Sequence, residues 1–308
     1  MNSDPRRGVL YGIGAYGLWG VFPLYFRLLE RSGAVEVVLH RVLWSLLVCL
    51  AVVAAVRGWT ELRAVLAVPR HVVTLGIGAV LLAVNWGVYI YAVNSGQVVE
   101  ASLGYYINPL VTVLLGVLVL RERLRRLQWV AVGVGALAVA VLTGAHGRPP
   151  FIALTLALSF GLYGLIKNRV GASVGAVASL TTETLVLAPV ATALLVVLEV
   201  RGQGHFGDNP PWQALLLASV GVATVVPLLF FAAAARRVPL STIGLLQYLT
   251  PTLQLLCGVL LLGERMSAPR WAGFALVWVA LAVLTADTVR AASRRRTEAR
   301  VAEPVGAA

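Results

Sequence analysis

Three ionisable residues lie close together in the second long apolar stretch of the chain: Glu36, His40 and Arg41. An ionisable group at membrane depth costs about 2.5 kcal/mol or more on insertion scales, so it usually faces the interior of the protein. Glu36 and His40 are four positions apart, which places them on one helix face where they can pair, and Trp44 continues that face. Arg41 points about 100° away. The group could bind a carboxylate or phosphate and offer a titrating side chain.

Another carboxylate, Glu183, lies in the seventh apolar stretch. Glu183 and His40 are candidates for proton coupling, because a histidine titrates near neutral pH. The alternatives are structural: an ion pair that locks the second helix to its neighbours, a hydrogen-bonded histidine, and a Glu183 that pairs with Lys167 or reaches the interface. The sequence leaves these alternatives open.

Aromatic and amide side chains form a second group inside the apolar stretches. Pro109 and Pro251 each free a backbone carbonyl one turn upstream, near Tyr105 and Gln247. Interrupted helices at matching places in two halves of a chain indicate a binding site near the membrane midplane. The residues of this group that we expect to line such a site, with some of the rings stacking on the substrate, are Asn85, Trp86, Tyr89, Tyr106, Asn108, Tyr163, Gln247 and Tyr248.

The setting of these residues follows from composition. The chain has 308 residues, of which 59% are hydrophobic and 12% charged, whereas a soluble domain carries about 25% charged residues. Apolar runs of about 20 residues, each long enough to cross a ~30 Å hydrocarbon layer, recur along the chain. They predict an all-α polytopic membrane protein with ten transmembrane helices, near residues 8–26, 34–56, 72–93, 98–120, 127–143, 151–166, 174–198, 212–235, 240–262 and 271–289.

One segment of the chain occurs twice. Residues 98–143 align with residues 240–285 without a gap, at an offset of 142 positions. Each half holds five predicted spans, so the second half enters the membrane upside down relative to the first, as in many secondary transporters. The aligned pairs include Tyr106 with Tyr248, Pro109 with Pro251, Gly116 with Gly258, Glu122-Arg123 with Glu264-Arg265, and Trp129 with Trp271.

The duplication predicts a first repeat at 1–145, a second repeat at 146–289, and a basic, disordered tail at 290–308. We expect a short interfacial helix within residues 57–70. If the N-terminus is inside, the inner segments hold 18 basic residues and the outer loops hold 6. This bias places both termini in the cytoplasm. The net charge of +12 is therefore an orientation signal, and we expect no nucleic-acid partner.

The sequence contains no Walker A loop and no His-Glu-x-x-His, and we expect no nucleophile elbow. Cys49 and Cys257 both lie in apolar runs without metal-ligand spacing. We therefore predict no enzyme, no cofactor and no metal, but a transporter whose partners are a small molecule and the lipid bilayer. A homodimer is left open. The alternatives are a membrane-embedded lipid-handling protein, such as a scramblase or an accessory subunit, and a receptor or scaffold, which the short loops disfavour.

Several segments match a known family: YGLWG at residues 16–20, His40-Arg41, Asn85-Trp86, TVVPLL at 224–229, LSTIG at 240–244, and above all EASLGYYINPLV at 100–111. With them the chain resembles the EamA-type drug/metabolite transporter superfamily and, within it, the RarD branch. The resemblance implies a permease of the bacterial cytoplasmic membrane that exports a small metabolite or drug. Arg121-Glu122-Arg123 departs from the usual Gly-Glu-Arg, a change that we do not expect to affect transport.

Overall fold

Helices make up most of the computed structural model, which describes residues 5–121, 123–170, 174–207 and 210–302, and no strand occurs within these ranges. A 3₁₀ turn at Glu30–Ser32 precedes the second helix, and a π-helical turn at Cys257–Leu261 follows the eleventh. The helices are α1 Pro5–Arg27, α2 Gly33–Ala55, α3 Trp59–Leu66, α4 Pro69–Asn94, α5 Val98–Leu120, α6 Arg126–His146, α7 Phe151–Val170, α8 Ala176–Val200, α9 Pro211–Ala235, α10 Leu240–Leu246, α11 Leu249–Leu256 and α12 Ala268–Ala302.

The predicted membrane spans are confirmed as helices. Nine helical segments of the described ranges are long and apolar enough to cross a membrane, and Phe151–Lys167 is a shorter apolar helix. Together they account for the ten predicted runs. Helix α5 begins and ends at the predicted residues, and α3 lies within the segment where a short interfacial helix was expected.

The two prolines that were expected to interrupt matching helices behave differently. Helix α5 continues through Pro109, so the predicted interruption of the first copy is wrong. In the second copy α10 ends at Leu246, and the N–H of Tyr248 donates to the carbonyl of Leu245, three residues back. A proline alone removes one backbone hydrogen bond, which α5 accommodates. The second copy adds a turn just before Pro251, where α11 begins.

The end of the chain is more helical than its composition suggested. Helix α12 continues to Ala302, whereas a disordered tail was predicted from residue 290 onward. Alanine, arginine and glutamate are strong helix formers and are frequent in this segment, which accounts for the difference. Residues 303–308 lie outside the described part of the chain, as does Glu122, which the duplication pairs with Glu264.

The chain divides into two compact units, each containing residues from both predicted repeats. The first comprises residues 1–108 and 151–265, and the second comprises residues 109–150 and 266–308. In the second unit α6 packs against α12. There Asp287 is buried and forms an ion pair with Arg125, with 2.5 Å between Oδ2 and Nη2.

In the first unit α2 packs against α8 and α9, α1 packs against α9 and α11, and α4 packs against α7. Glycines allow two of the approaches between helices. A Cβ on Gly221 of α9 would overlap the backbone of Trp44 in α2, and one on Gly104 of α5 would lie 2.7 Å from the carbonyl oxygen of Ala153 in α7. Small residues at such crossings let membrane helices pack by backbone contact.

Carboxylates satisfy the first amides of two helices in this unit. The Glu264 oxygens accept hydrogen bonds from the N–H groups of Val98 and Val99, at 2.6 and 2.9 Å, where α5 begins. Glu100 accepts one from the N–H of Ile152 at the start of α7, at 3.1 Å. Helix N-termini leave N–H groups without intrahelical partners and favour negative charge. Glu264 and Glu100 therefore fix where these helices begin.

The close approach of α2 and α9 gives a testable prediction. Gly221→Ala should lower the thermal unfolding temperature of the detergent-solubilised protein, because overpacking costs about 1–3 kcal/mol. Gly17→Ala is the matched control, since a Cβ on Gly17 meets nothing within 4 Å. The control should be neutral or gain up to about 1 kcal/mol, because alanine is the better helix former. Equal unfolding temperatures for the two variants would contradict the packing described.

Candidate functional site

Arg41 of α2 is buried, with 4% of its surface exposed. Its guanidinium donates from Nε to the Thr224 hydroxyl of α9, at 2.9 Å. The guanidinium carbon lies 3.9 Å from the ring centroid of Trp86 in α4, and 5.5 and 5.9 Å from the centroids of Phe26 and Phe22 in α1. Two helices thus surround the cation with aromatic rings and a third supplies a hydroxyl; a cation–π contact is worth about 2 kcal/mol when the cation is desolvated.

The charge of Arg41 has no opposite charge beside it. Within the described part of the chain, no carboxylate oxygen lies within 4.0 Å of its guanidinium, and the bond to Thr224 is the only hydrogen bond that this group donates. An arginine does not lose its proton in a protein. An arginine at the centre of a membrane helix costs about 2.5–3.5 kcal/mol on insertion scales, so this uncompensated charge indicates a functional site.

Three tyrosines pack around these rings: Tyr25 and Tyr89 contact Phe26, at 5.3 and 6.0 Å between centroids, and Tyr105 contacts Tyr89 at 5.8 Å. The Tyr25 hydroxyl donates to the carbonyl oxygen of Leu216, at 3.0 Å. The Tyr105 hydroxyl donates to Oδ1 of Asn85, at 3.2 Å. The Tyr89 hydroxyl is buried and has no hydrogen-bond partner among the residues that the structure describes. Tyr89 therefore offers an unused donor near the cation.

Asn85, predicted from sequence as a site residue, is engaged within the protein. Its Nδ2 donates to the carbonyl of Leu156 and to the hydroxyl of Ser159, both at 3.0 Å, and its Oδ1 accepts from Tyr105. These bonds join α4 to α7 and α5. Asn85 therefore positions Tyr105 and α7 beside the Arg41 site.

The carboxylate of Glu36 is held mainly by His205, which the sequence reasoning missed. The His205 N–H donates to Oε1 at 2.8 Å, and its Nδ1 lies 2.9 Å from Oε2. His40 Nε2 lies 3.9 Å from Oε1, so the contact predicted from the four-residue spacing exists but is the looser one. His205 lies in the loop between α8 and α9, outside the apolar stretches from which the site residues were predicted.

Phe206, the next residue of that loop, packs on the predicted face of α2. Its ring stacks on the His40 imidazole at 4.8 Å and on the Trp44 indole at 6.3 Å, between centroids. Phe206 also packs against the core cluster that contains Phe26 and Tyr89. The helix face predicted for His40 and Trp44 is therefore covered by an aromatic residue of the loop. The only feature of the sequence that could have indicated this contact is the His-Phe pair in a glycine-rich segment.

Glu183 is almost completely buried and has three partners. Lys167 Nζ lies 2.8 Å from its Oε1, the Ser179 hydroxyl donates to Oε1 at 3.2 Å, and the Tyr163 hydroxyl donates to Oε2 at 3.2 Å. Lys167 also donates to Ser179. The structure thus shows the pairing with Lys167 that the sequence had left as an alternative, and it brings Tyr163 to the same carboxylate.

The Arg41 and Glu183 groups are linked through one apolar cluster, in which Trp86 is buried and Tyr163 is partly buried. Arg41 and Glu183 are also 142 positions apart, the offset that aligns the two copies of the chain. If the same offset is applied to α2 and α8, equivalent positions of the two helices carry opposite charges.

The other predicted site residues lie on α5 and at the break between α10 and α11. The buried Tyr106 shares a hydrogen bond with the Thr252 hydroxyl of α11, at 2.7 Å. Asn108 is half-buried on α5. Gln247 and Tyr248, also half-buried, form the turn that separates α10 from α11. The backbone of that turn is itself hydrogen-bonded: the N–H of Gln247 donates to the carbonyl of Ile243, and that of Tyr248 to the carbonyl of Leu245.

Comparison with known proteins gives extensive matches. The EamA-like transporter family matches residues 6–144 and again residues 149–286. "Protein RarD" of Streptomyces exfoliatus is 50% identical over 98% of this chain and 96% of its own length. An uncharacterized transporter of Pseudomonas aeruginosa is 46% identical over 95% of this chain and 98% of its own length. "Protein RarD" of Escherichia coli is 41% identical, with coverages of 96% and 98%.

Among solved structures, one titled "Crystal structure of protein" superimposes with a TM-score of 0.57, covering 92% of this chain and 98% of that one. At 22% identity this likeness concerns the fold alone. The double family match and the identity to proteins called RarD carry the assignment further. The chain belongs to the EamA-like transporter family, in its RarD branch, and is a multi-pass membrane transporter.

Proposed function

We propose that this protein is a secondary transporter that exports a small metabolite or drug across the bacterial cytoplasmic membrane by alternating access, with both termini in the cytoplasm. The observation that supports this most is the uncompensated charge of Arg41, buried among aromatic rings on a helix that the duplication repeats. Two inverted copies of one unit can exchange inward-open and outward-open shapes around such a site.

In this proposal Arg41 is the central polar contact for the substrate. Trp86 holds its face, and the free hydroxyl of Tyr89 lies near it. Tyr106 and Tyr248, aligned by the duplication, stack on an apolar or aromatic part of the substrate. The remaining proposed contributors to the site are Glu36, His40, Trp44, Asn85, Asn108, Tyr163 and Gln247.

Coupling to protons is the second part of the proposal, with Glu183 and His40 as the titrating groups. Glu183 already has a cationic partner in Lys167 and two hydroxyl donors. If Glu183 takes up a proton, the ion pair with Lys167 loses its attraction, so protonation would loosen α7 from α8. An exposed pair of this kind would have little effect, but the carboxylate of this pair is buried, with 2% of its side chain exposed against 32% for Lys167.

Transport by purified protein in liposomes tests the coupling. Amino acids and small amphipathic drugs would be screened with and without an imposed pH gradient. We expect the gradient to accelerate wild-type flux, and Glu183→Gln to abolish that acceleration. Glu30→Gln is the matched control, because Glu30 is exposed and pairs only with the exposed Arg27 among the described side chains.

Wild-type flux that ignores the gradient would make the protein a facilitator and Glu183 a structural residue. Absence of flux for every compound, from protein that is folded, would favour the lipid-handling alternative. The same vesicles then test that alternative, because a fluorescent phospholipid in the inner leaflet becomes accessible to dithionite only if it is scrambled.

Alanine substitutions test the proposed substrate contacts. His40→Ala, Arg41→Ala and Tyr106→Ala should each lower kcat/KM for transport, by roughly tenfold or more where a charged or desolvated contact is lost. Trp59→Ala is the control, since Trp59 is an exposed residue of α3. Expression and thermal unfolding would be matched first. Wild-type transport by all three variants would overturn the proposed site.

The proposed orientation has a separate test. Alkaline phosphatase fused after residue 289 should be inactive in cells, and a green fluorescent protein at the same point should be fluorescent, because the excess of basic residues in the inner segments retains the terminus in the cytoplasm. The opposite pair of results would reverse the orientation and, with it, the proposed direction of export.

A further inference from the structure

We infer that the substrate of the Arg41 site is an organic monoanion: a single oxyanion group, of the carboxylate class, on an apolar or aromatic body. The inference rests on the proposed function and specifies the ligand of the same site. It follows from three properties of the described residues, namely the balance of buried charges, the hydrogen-bonding capacity left at the site, and the character of its walls.

The balance of buried charges comes first. Every buried carboxylate of the described ranges lies within 4.0 Å of a basic side chain, and Arg41 is the buried basic side chain that has no carboxylate there. Each buried carboxylate thus has a basic side chain beside it, whereas the buried guanidinium of Arg41 has no acidic one. A ligand with one negative charge completes the pairing. The pairs are Glu183 with Lys167, Asp287 with Arg125, and Glu36 with His205, whose imidazole carries a charge only when it is protonated.

The hydrogen-bonding capacity left at the site is one-sided. Thr224 accepts the hydrogen bond from Nε of Arg41, and Trp86 covers one face of the guanidinium. The Nη edge of the guanidinium is therefore left to bind a ligand. The Tyr89 hydroxyl nearby has no partner among the described residues. Both are donors, and the paired N–H groups of a guanidinium edge match the two oxygens of a carboxylate. A neutral ligand would leave the charge uncompensated, and a cation would be repelled.

The walls of the site account for the rest of the ligand. Phe22 and Phe26 lie within 6 Å of the guanidinium carbon, and Trp86 lies closer still. Tyr89 and Tyr105 contact each other edge to face beside them, at 5.8 Å between centroids. Aromatic walls favour an apolar or planar body over a polyhydroxylated one, because the hydroxyls of such a ligand would find few partners. A sugar phosphate is therefore a poor fit, and an aromatic acid is a good one.

Binding to the purified full chain in detergent tests the inference. The probes are benzoate and indole-3-acetate, their neutral amides benzamide and indole-3-acetamide, the cation benzylamine, and the more highly charged phenyl phosphate. Benzenesulfonate separates a requirement for carboxylate from one for any monoanion. Affinity would be measured by radiolabelled equilibrium binding, with thermal stabilisation as a second readout.

We expect the two carboxylates to bind and to stabilise wild-type protein, and their amides and benzylamine to bind at least tenfold more weakly. Arg41→Gln should lower carboxylate affinity by about ten- to hundredfold, the equivalent of one charge-assisted hydrogen-bonded contact. Arg41→Lys keeps the charge and should retain the preference for the acid over the amide. Arg201→Gln, at an exposed arginine that directly follows α8, is the matched control.

Three results would overturn the inference: equal affinity for acids and amides, carboxylate binding that is unchanged in Arg41→Gln, or no binding by any acid of the panel. If phenyl phosphate binds tenfold more tightly than benzoate, the inference that the ligand carries a single negative charge is overturned. Flux of a neutral or cationic compound that does not depend on Arg41 would contradict the inferred anionic substrate but would still support the proposed transport function. Anion binding that depends on Arg41, without flux in liposomes, would support the inferred ligand but contradict the proposed transport function.

Discussion

The pairing of charge inside a low-dielectric layer is the constraint on which the rest of this structure depends. Removing a carboxylate or an ammonium from water costs several kcal/mol unless an opposite charge and hydrogen bonds replace the solvent. Each buried carboxylate has a basic side chain beside it, and two partly buried carboxylates accept hydrogen bonds from the first amides of α5 and α7. These carboxylates lie where α5 and α7 begin. Arg41 is the exception, because its buried charge has no opposite charge beside it.

Hydropathy and duplication were enough to predict the helices, since both depend on local sequence. The ten apolar runs and the short helix α3 were predictable for this reason. The continuity of α5 was not, because one proline is compatible with a kinked, broken or straight helix, and tertiary packing decides which forms. The extension of α12 to Ala302 was missed because charge was taken as a sign of disorder, although the same residues favour helix.

The sequence predicted where several polar and aromatic residues lie on their helices, but not which residues they contact. Helical spacing placed His40 and Trp44 on one face correctly, and both rings indeed share Phe206. Spacing could not supply the partners, because His205 and Phe206 come from a loop distant in sequence. Helical spacing also could not show that Arg41 has no carboxylate beside it, because that observation needs the positions of all neighbouring helices.

The opposite charges at equivalent positions have a consequence for the history of the chain. The copy that contains Arg41 supplies a cation without a partner, while the copy that contains Glu183 supplies a carboxylate already matched by Lys167. An assembly of two identical first halves would carry two unmatched cations, and an assembly of two second halves would carry none. The two halves are therefore no longer interchangeable. Joining them in one polypeptide guarantees one of each per molecule, a stoichiometry that separate, identical subunits could not provide.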